Sequence, residues 1–512
     1  MIMKKFMIIV LIFILLLCGC SQNVPQETTL PEPTVCAVHA DANDDGICDR
    51  CQISVIVSFD IYAINDLHGK IADGENHPGV DELSTYLEKA RDRKDNVILL
   101  STGDMWQGSS ESNMTKGFLT TEWMNELNFA AMTLGNHEFD WGEDPIRENQ
   151  EIAEFPFLAI NIYDRDTKAQ VDYCQSSVVV DMDGIQIGII GAIGDCYSSI
   201  AADKVEDVYF ITGQELTDLV KEESQKLRGE GVDFIIYSIH DGLGESKSAS
   251  TTPVTGSQLS SYYDTALSDG YVDLVFEAHT HQRYLLQDEH AVYHLQNKGD
   301  NKGISHAEIE FNIANLTSEV VDAELVSGSK YALMEDHPIV EELLDKYEDE
   351  IEPARRVVGT NAKLRQRNEL RQIIADLYFM AGSDEWGQDY DIVLGGGFIS
   401  VRDPGHLEAG EVTYSMLQSL FPFDNELVLC SIKGSDLKSK FFESNNSNYF
   451  ISYGQYGTSV KNNIDPNATY YIVTDTYSST YAPNNLTEIK RYHPNTYARD
   501  LLATYMGIGG LE

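Results

Sequence analysis

Gly135-Asn136-His137-Glu138-Phe139-Asp140-Trp141-Gly142 follows the run Met132-Thr133-Leu134 and places an amide, an imidazole and two carboxylates just beyond it. Other polar clusters stand in the same relation to apolar runs. Asn65-Asp66-Leu67-His68-Gly69 ends the run Ile61 to Ile64, and Gly103-Asp104 follows Val97-Ile98-Leu99-Leu100 and a Ser-Thr-Gly turn. His240-Asp241-Gly242 follows Phe234 to Ile239, and His279 and His281 follow Leu274-Val275-Phe276. Asp66 and His68 are two apart, so in extended chain both point to one side and can grip one ion. A carboxylate such as Asp104 has two oxygens with which to bridge two cations. A single His or Asp at a strand end serves as well in a cap or turn; the repetition is what points to metal. Asp, His and Asn together suit Zn, Mn, Fe or Ca better than a thiolate set would, and two such ions side by side are an apparatus for cleaving phosphate esters.

Outward from these clusters, short Val/Ile/Leu-rich runs alternate with amphipathic stretches from residue 54 to about 330. The runs include Val55 to Ile64, Val97 to Leu100, Phe157 to Ile160, Ile185 to Ile193, Phe234 to Ile239 and Val272 to Phe276, and the helix-like stretches include Val80 to Arg93 and Glu215 to Arg228. Such alternation predicts an α/β layered domain with strands buried between helices. Ligand sites in these sheets gather beyond the carboxyl ends of the strands. Pro338 to Val358 reads as a charged helix with Ile339, Leu343, Leu344 and Tyr347 on one side, expected to bridge two domains. A second domain opens with a helix over Arg371 to Met380, passes the turn Gly395-Gly396-Gly397, and contains strand-like runs at Leu427 to Ile432 and Tyr470 to Thr474. The expected division is an export signal over 1–20, a tether and small module over 21–53, a catalytic domain over 54–335, a helical linker over 336–361 and a second domain over 362–512.

The 512 residues exceed one ordinary core, and a composition 42% hydrophobic and 10% aromatic is that of a folded chain. A formal net charge of −46 argues against nucleic acid as a partner, so an anionic substrate needs local help from metal ions or arginines. Lys4 and Lys5, the apolar stretch Phe6 to Leu17, and Leu17-Cys18-Gly19-Cys20 have the order of an export signal too short to span a bilayer comfortably. The ending resembles a bacterial lipoprotein cleavage box, with Cys20 as the lipid-bearing residue, which implies an extracytoplasmic, membrane-anchored protein. Residues 21 to 35, with Pro25, Pro31 and Pro33, read as an extended tether. Cys36-x2-His39 and Cys48-x2-Cys51 then have zinc-knuckle-like spacing. Threaded between them, Asp41-x-Asn43-x-Asp45-Gly46-x-x-Asp49 matches the first nine positions of a calcium loop, with Gln52 where a bidentate Glu is expected. Zinc site, calcium loop and plain acidic linker all remain open. Cys174 and Cys196 are candidates for a disulfide.

The ordered set Asp-x-His, Gly-Asp, Gly-Asn-His-Glu, His and His-x-His is similar to the signature of the calcineurin-like metallophosphoesterases. The longer strings at 65–69 and 135–142 resemble the 5′-nucleotidase family within them. That resemblance implies an N-terminal four-layer α/β/β/α sandwich and a C-terminal α/β substrate-binding domain joined by a helical linker. It implies two divalent ions, one held by Asp66, His68, Asp104 and His281 with Gln282 nearby, the other by Asp104, Asn136, His240 and His279. His137 is then the imidazole that stabilises phosphoryl charge or protonates the leaving oxygen, oriented by Asp140. The implied activity is hydrolysis of 5′-nucleotides, with 2′,3′-cyclic nucleotides, nucleotide sugars or another ester as alternatives. A surface nucleotide-binding or adhesin protein is the reading from another class. His290, His294 and His306 match no motif position.

The second domain departs from the family's pattern. In Leu394-Gly395-Gly396-Gly397-Phe398-Ile399, Leu394 replaces the family's Asn and Ile399 its Arg; Arg402, three residues on, is the candidate replacement. Phe423 in Phe421-Pro422-Phe423-Asp424-Asn425 falls at the base-stacking position. The late segment Thr474 to Tyr481 lacks the family's glycines and leaves Tyr481 or Tyr477 to close the pocket. Arg365 and Arg367 stand where the family keeps phosphate-contacting arginines.

Overall fold

The computed structural model describes residues 38–73, 78–247, 250–254, 259, 263–402, 404–442, 449–454, 457, 461–480 and 486–511. Cys20, Cys36 and Tyr481 lie outside them. Among the described residues no helix is long and apolar enough to cross a membrane. The chain divides into two compact units, Met1–Val55 and Ile56–Glu512. The described part of the first is a loop closed by a bridge between Ile47 and Ser54.

The larger unit begins with two sheets packed face to face. In strand Ile56–Ile64 side chains alternate: Phe59, Ile61 and Ala63 enter the core between the sheets, while Tyr62 and Ile64 pack under the outer helices. Period-two alternation with both faces apolar is what a strand buried between layers requires. The first sheet runs Thr317–Ser327, Gly303–Asn312, Ile56–Ile64, Val97–Ser101, Ala131–Thr133, Phe157–Leu158, its last four strands parallel. The second is seven-stranded and sets Ile185–Ile193, Phe234–His240 and Leu274–Phe276 side by side in parallel. The inner core joins Phe59, Ile98 and Leu100 to Ile187, Phe234 and Phe276. Helices Asp81–Arg93 and Phe118–Glu126 cover the first sheet, and Gly213–Gly229 covers the second. The result is the expected α/β/β/α sandwich.

The predicted charged helix is shorter than its sequence suggests. It runs Pro338–Lys346, resumes for one turn at Glu348–Ile351 and ends in a short 3₁₀ turn containing Pro353. A proline there removes an amide and stops propagation. Val357–Asn361 is instead a strand paired with Gly410–Thr413. Beyond it a five-stranded sheet, in the order Tyr449–Ser452, Ile392–Phe398, Thr469–Asp475, Leu427–Lys433, Thr487–Arg491, packs under the 20-residue helix Arg367–Trp386. That packing needs Gly395, because a Cβ there would lie 2.3 Å from the Phe379 backbone of the helix. The sheet's faces separate two cores, with Leu429 and Val473 in one and Val428, Cys430 and Ile472 in the other.

Cys174 and Cys196 are free rather than paired. The Cys174 thiol donates to the Ala159 carbonyl at 3.4 Å and the Cys196 thiol to the His240 carbonyl at 2.8 Å.

Candidate active site

Asp66, Asp104, Asn136, His240 and His279 all sit at or just past the carboxyl ends of parallel strands. What brings their side chains together is backbone conformation: Asp66, His68, Asp104, His279 and His281 have φ of 51°, 51°, 56°, 66° and 53°. The left-handed region is sparsely populated by residues with a Cβ, at about 1–3 kcal/mol each, and is held only where the surroundings dictate it. Here the loops lock one another. The Asp66 amide donates to the Gly103 carbonyl and the His68 amide to the Asp104 carbonyl, both at 3.0 Å. The Gly135 turn presses against Asp104 so closely that a Cβ on Gly135 would lie 2.3 Å from Asp104 Oδ1.

Glu138, fully buried, collects the loop amides. Its carboxylate accepts from Asp104 N at 2.9 Å, Met105 N at 2.7 Å and Gly135 N at 2.7 Å. Burial and the nearby Asp104 charge raise its pKa to about 7. This brace lies inside the opening motif, yet a carboxylate there reads equally as a ligand; the sequence does not say which way it points.

The imidazoles are oriented by carbonyls. His68 Nδ1–H donates to Gln107 O at 2.8 Å and His240 Nδ1–H to Thr102 O at 2.7 Å. A carbonyl can only accept, so both rings turn Nε2 inward. His68 Nε2 lies 3.0 Å from His281 Nε2, and His281 Nε2 lies 3.4 Å from Asp66 Oδ1. His240 Nε2 lies 3.1 Å from Asp104 Oδ2 and 3.3 Å from Asn136 Oδ1. The His279 ring faces that of His240 at 5.6 Å, and the His279 amide donates to Asp66. Ligand atoms of Asp66, His68 and His281 lie within 4.8 Å of one another, as do those of Asp66, Asp104 and His240.

Asp66 and Asp104 are 0% and 1% exposed, so their charges demand positive partners at hand. Burial lowers the pKa of His240, but the two carboxylates outweigh it and raise that pKa to about 10. Burial and neighbouring imidazoles push His68 down to about 3 and His279 to about 4, keeping those rings neutral as ligands must be. The donor set fits divalent cations. Gln282 is placed differently from the ligands: its amide donates to the Thr280 carbonyl at 3.0 Å and accepts from Ser246 at 2.8 Å. Cys196 lies beside His240 and His279, with burial holding its thiol protonated. His294, buried between Glu277 and Asp288, and His306, bonded to Asp60, play structural parts.

His137 stands beside the cluster. Its amide donates to Asp104 Oδ1 and its Nδ1 to Asp140 Oδ2, both at 2.8 Å. Burial lowers its pKa, but Asp140 and Asp104 prevail and raise it. Nε2 faces a cavity of about 300 Å³ that runs from Asn136 and His279 to Phe398, Phe423 and Tyr477. Arg402 lies on that wall with Nη2 3.3 Å from His137 Nε2, its guanidinium 5.1 Å from the Phe423 ring centre, and a buried Nε without a partner. Phe423 packs against His137 at 5.7 Å and Phe398 against Tyr477 at 5.7 Å.

Arg365 and Arg367 do not line this cavity. Arg365 is spent on Asn361 and Glu369, both at 2.8 Å, and Arg367 Nη1 donates to the Val401 carbonyl at 2.6 Å, bracing the turn that carries Arg402. Two contributors lie outside the sequence reading. Lys204 reaches the cavity wall from a 3₁₀ turn. Arg499, 4% exposed, donates to the carbonyls of Phe421 and Phe423 at 3.2 and 3.0 Å and pairs with Asp424, fixing the loop that presents Phe423. No motif surrounds either residue.

Carboxylates, imidazoles and an amide gathered at strand ends beside a cationic, aromatic-walled cavity define a metal-dependent phosphoesterase. Residues 59–283 match the calcineurin-like phosphoesterase family and residues 350–484 the 5′-nucleotidase C-terminal domain. The chain belongs to the 5′-nucleotidase family of calcineurin-like phosphoesterases, metal-dependent phosphoric ester hydrolases. It is 25% identical over 479 residues to the protein UshA of Yersinia enterocolitica, spanning 81% of this chain and 84% of that one. In fold it is similar to a 5′-nucleotidase precursor from Thermus thermophilus, with a TM-score of 0.65 at 17% identity over 88% of this chain and 96% of that one. It is likewise similar to the sulfate thiohydrolase SoxB of the same organism, with a TM-score of 0.63 at 13% identity over 88% and 94%.

Proposed function

We propose that the protein is an extracytoplasmic dinuclear-metal phosphoesterase that hydrolyses 5′-nucleotides to nucleoside and phosphate. The observation that carries this reading is the cavity that joins His137 and Asn136 to Phe398, Phe423 and Tyr477. The fold serves both a 5′-nucleotidase and a sulfate thiohydrolase, so the substrate must be read from the walls. A flat base among three aromatic rings gains about 0.5–1.5 kcal/mol per ring beyond burial. Export and attachment through a lipidated Cys20 follow from the N-terminal signal, and an exported nucleotidase would meet its substrates outside the cell.

In this reading Asp66, His68, Asp104 and His281 hold one ion and Asp104, Asn136, His240 and His279 the other. Two divalent ions there supply Lewis-acid stabilisation of the phosphoryl group and acidify water for attack. The chain's own residues do the rest. Asp140 accepts the Nδ1 proton of His137 and leaves Nε2 as the ring atom facing the cavity, and the raised pKa favours its taking up a proton there. Arg402 aims Nη2 at the same point. Arg402 can only donate, so at 3.3 Å it gives Nη2–H to the Nε2 of the neutral ring, and a phosphoryl oxygen in the cavity would take donors from both the guanidinium and the protonated ring. Glu138 holds the Asp104 and Gly135 amides and so fixes the spacing of the ligand loops. The test is phosphate release across nucleoside monophosphates, diphosphates, cyclic nucleotides and nucleotide sugars, with Mn²⁺, Zn²⁺ or Ca²⁺ supplied. Fastest turnover of a 5′-monophosphate supports the assignment; preference for a cyclic nucleotide or a nucleotide sugar would replace it.

A further inference from the structure

The loop of residues 38–55 gathers soft ligands that the hydrolytic reaction does not use. We propose that His39, Cys48 and Cys51 bind a structural zinc ion in the first compact unit. Ligand atoms of all three lie within 4.8 Å of one another, and both thiols are free. Zn–S near 2.3 Å and Zn–N near 2.0–2.1 Å in a tetrahedron set S and N about 3.5 Å apart. Cys51 Sγ and His39 Nδ1 lie 3.5 Å apart.

The acidic residues of the same loop shape it. Asp41 accepts from the amides of Asp45 and Gly46 at 3.0 and 2.9 Å, and Asp49 accepts from Ala42 N at 2.8 Å. Asp45 takes Asn43 Nδ2 and Ile47 N. The residue at the twelfth loop position, Gln52, turns its amide to the Cys48 carbonyl at 3.2 Å. Calcium needs six to eight oxygens, whereas these carboxylates and this amide are committed to the backbone of the turn that delivers Cys48 and Cys51. The segment also lacks a core: Cys48 and Val55 are its buried apolar residues, while Val38 is 70% exposed. A segment of this kind gains its order from metal binding. Cys36 completes the sequence motif from outside the described residues; the inference stands on the other three.

The probe is Co²⁺, added to the reduced, metal-stripped full chain and followed by its thiolate-to-metal charge-transfer absorption. The oxygen and nitrogen ligands of the hydrolytic centre give no such band. The band should appear in the wild type, vanish when Zn²⁺ is added, persist in Asp104→Ala and Cys196→Ala, and be absent from the Cys48→Ser/Cys51→Ser double variant. Phosphate release by the double variant should match that of the wild type, which shows its larger unit folded. No band in the wild type, a band lost in Cys196→Ala but kept in the double variant, or a native chain isolated with Cys48 in a disulfide would each overturn the assignment.

Discussion

The two ends of the cavity are built on different terms. At the metal end, carboxylates and imidazoles stand at the tips of buried parallel strands, with left-handed backbone at five of them and the His68 and His240 rings pinned by carbonyls. At the far end Arg402 and Phe423 stand on loops beside Phe398 at a strand end and Tyr477 in a short helix, and Arg402 reaches His137 although position 399, where the family resemblance implies arginine, holds a buried isoleucine. The difference teaches which parts of such a site can change. An ion fixes the position of every ligand atom to within tenths of an ångström, whereas a phosphoryl oxygen and a base need only a cation and a ring to arrive, from whichever backbone.

If that contrast is right, damage should be graded along the cavity. Asp104→Ala removes the carboxylate that the proposed dinuclear centre would share between its ions and should lower kcat/KM by at least about 10³-fold. His137→Ala should cost about 10²–10⁴-fold, chiefly in kcat, and Asp140→Asn about 10–100-fold with an altered pH profile; steady-state kinetics with AMP measure both. At the other end Arg402→Ala should raise KM about tenfold through loss of a charged hydrogen bond, and Phe423→Ala somewhat less, while Arg365→Ala should leave KM unchanged. A kcat collapse in Phe423→Ala would erase the distinction between the ends.

A last effect falls on stability and its pH dependence rather than on turnover. Burial raises the pKa of Asp424, but Arg499 and Lys116 outweigh it and hold it below the ordinary carboxylate range. A depressed acid contributes stability above the unfolded carboxylate pKa and loses it as pH falls through the folded one. Thermal unfolding should therefore show Asp424→Asn less stable than wild type by about 3 kcal/mol near neutrality, the gap closing in acid.

How legible these features were in sequence follows the same divide. Strands Ile185–Ile193 and Phe234–His240 and helix Gly213–Gly229 could be read nearly to the residue, because burial on both faces or one leaves a strict apolar period. Asp66, His68, Asp104, Asn136, His240, His279 and His281 were legible because each follows such a run. The break after Lys346 was hidden within uniform charge, and Pro353 signals only the end of the helical stretch after Ile351. Arg365 and Arg367 misled because an arginine near a helix start looks alike whether it meets phosphate or Glu369. Arg499 carries no signal at all: its importance comes from two carbonyls more than 70 residues away in the chain.

The central claim is that the strand-end cluster performs the hydrolysis through bound divalent ions. Its most direct test strips the protein with a chelator, removes the chelator, and titrates Mn²⁺ back while phosphate release from AMP is followed. Release should disappear on stripping and return in proportion to metal bound at the catalytic centre, with Asp104→Ala never recovering. Release that survives stripping, or that returns equally in Asp104→Ala, would contradict it.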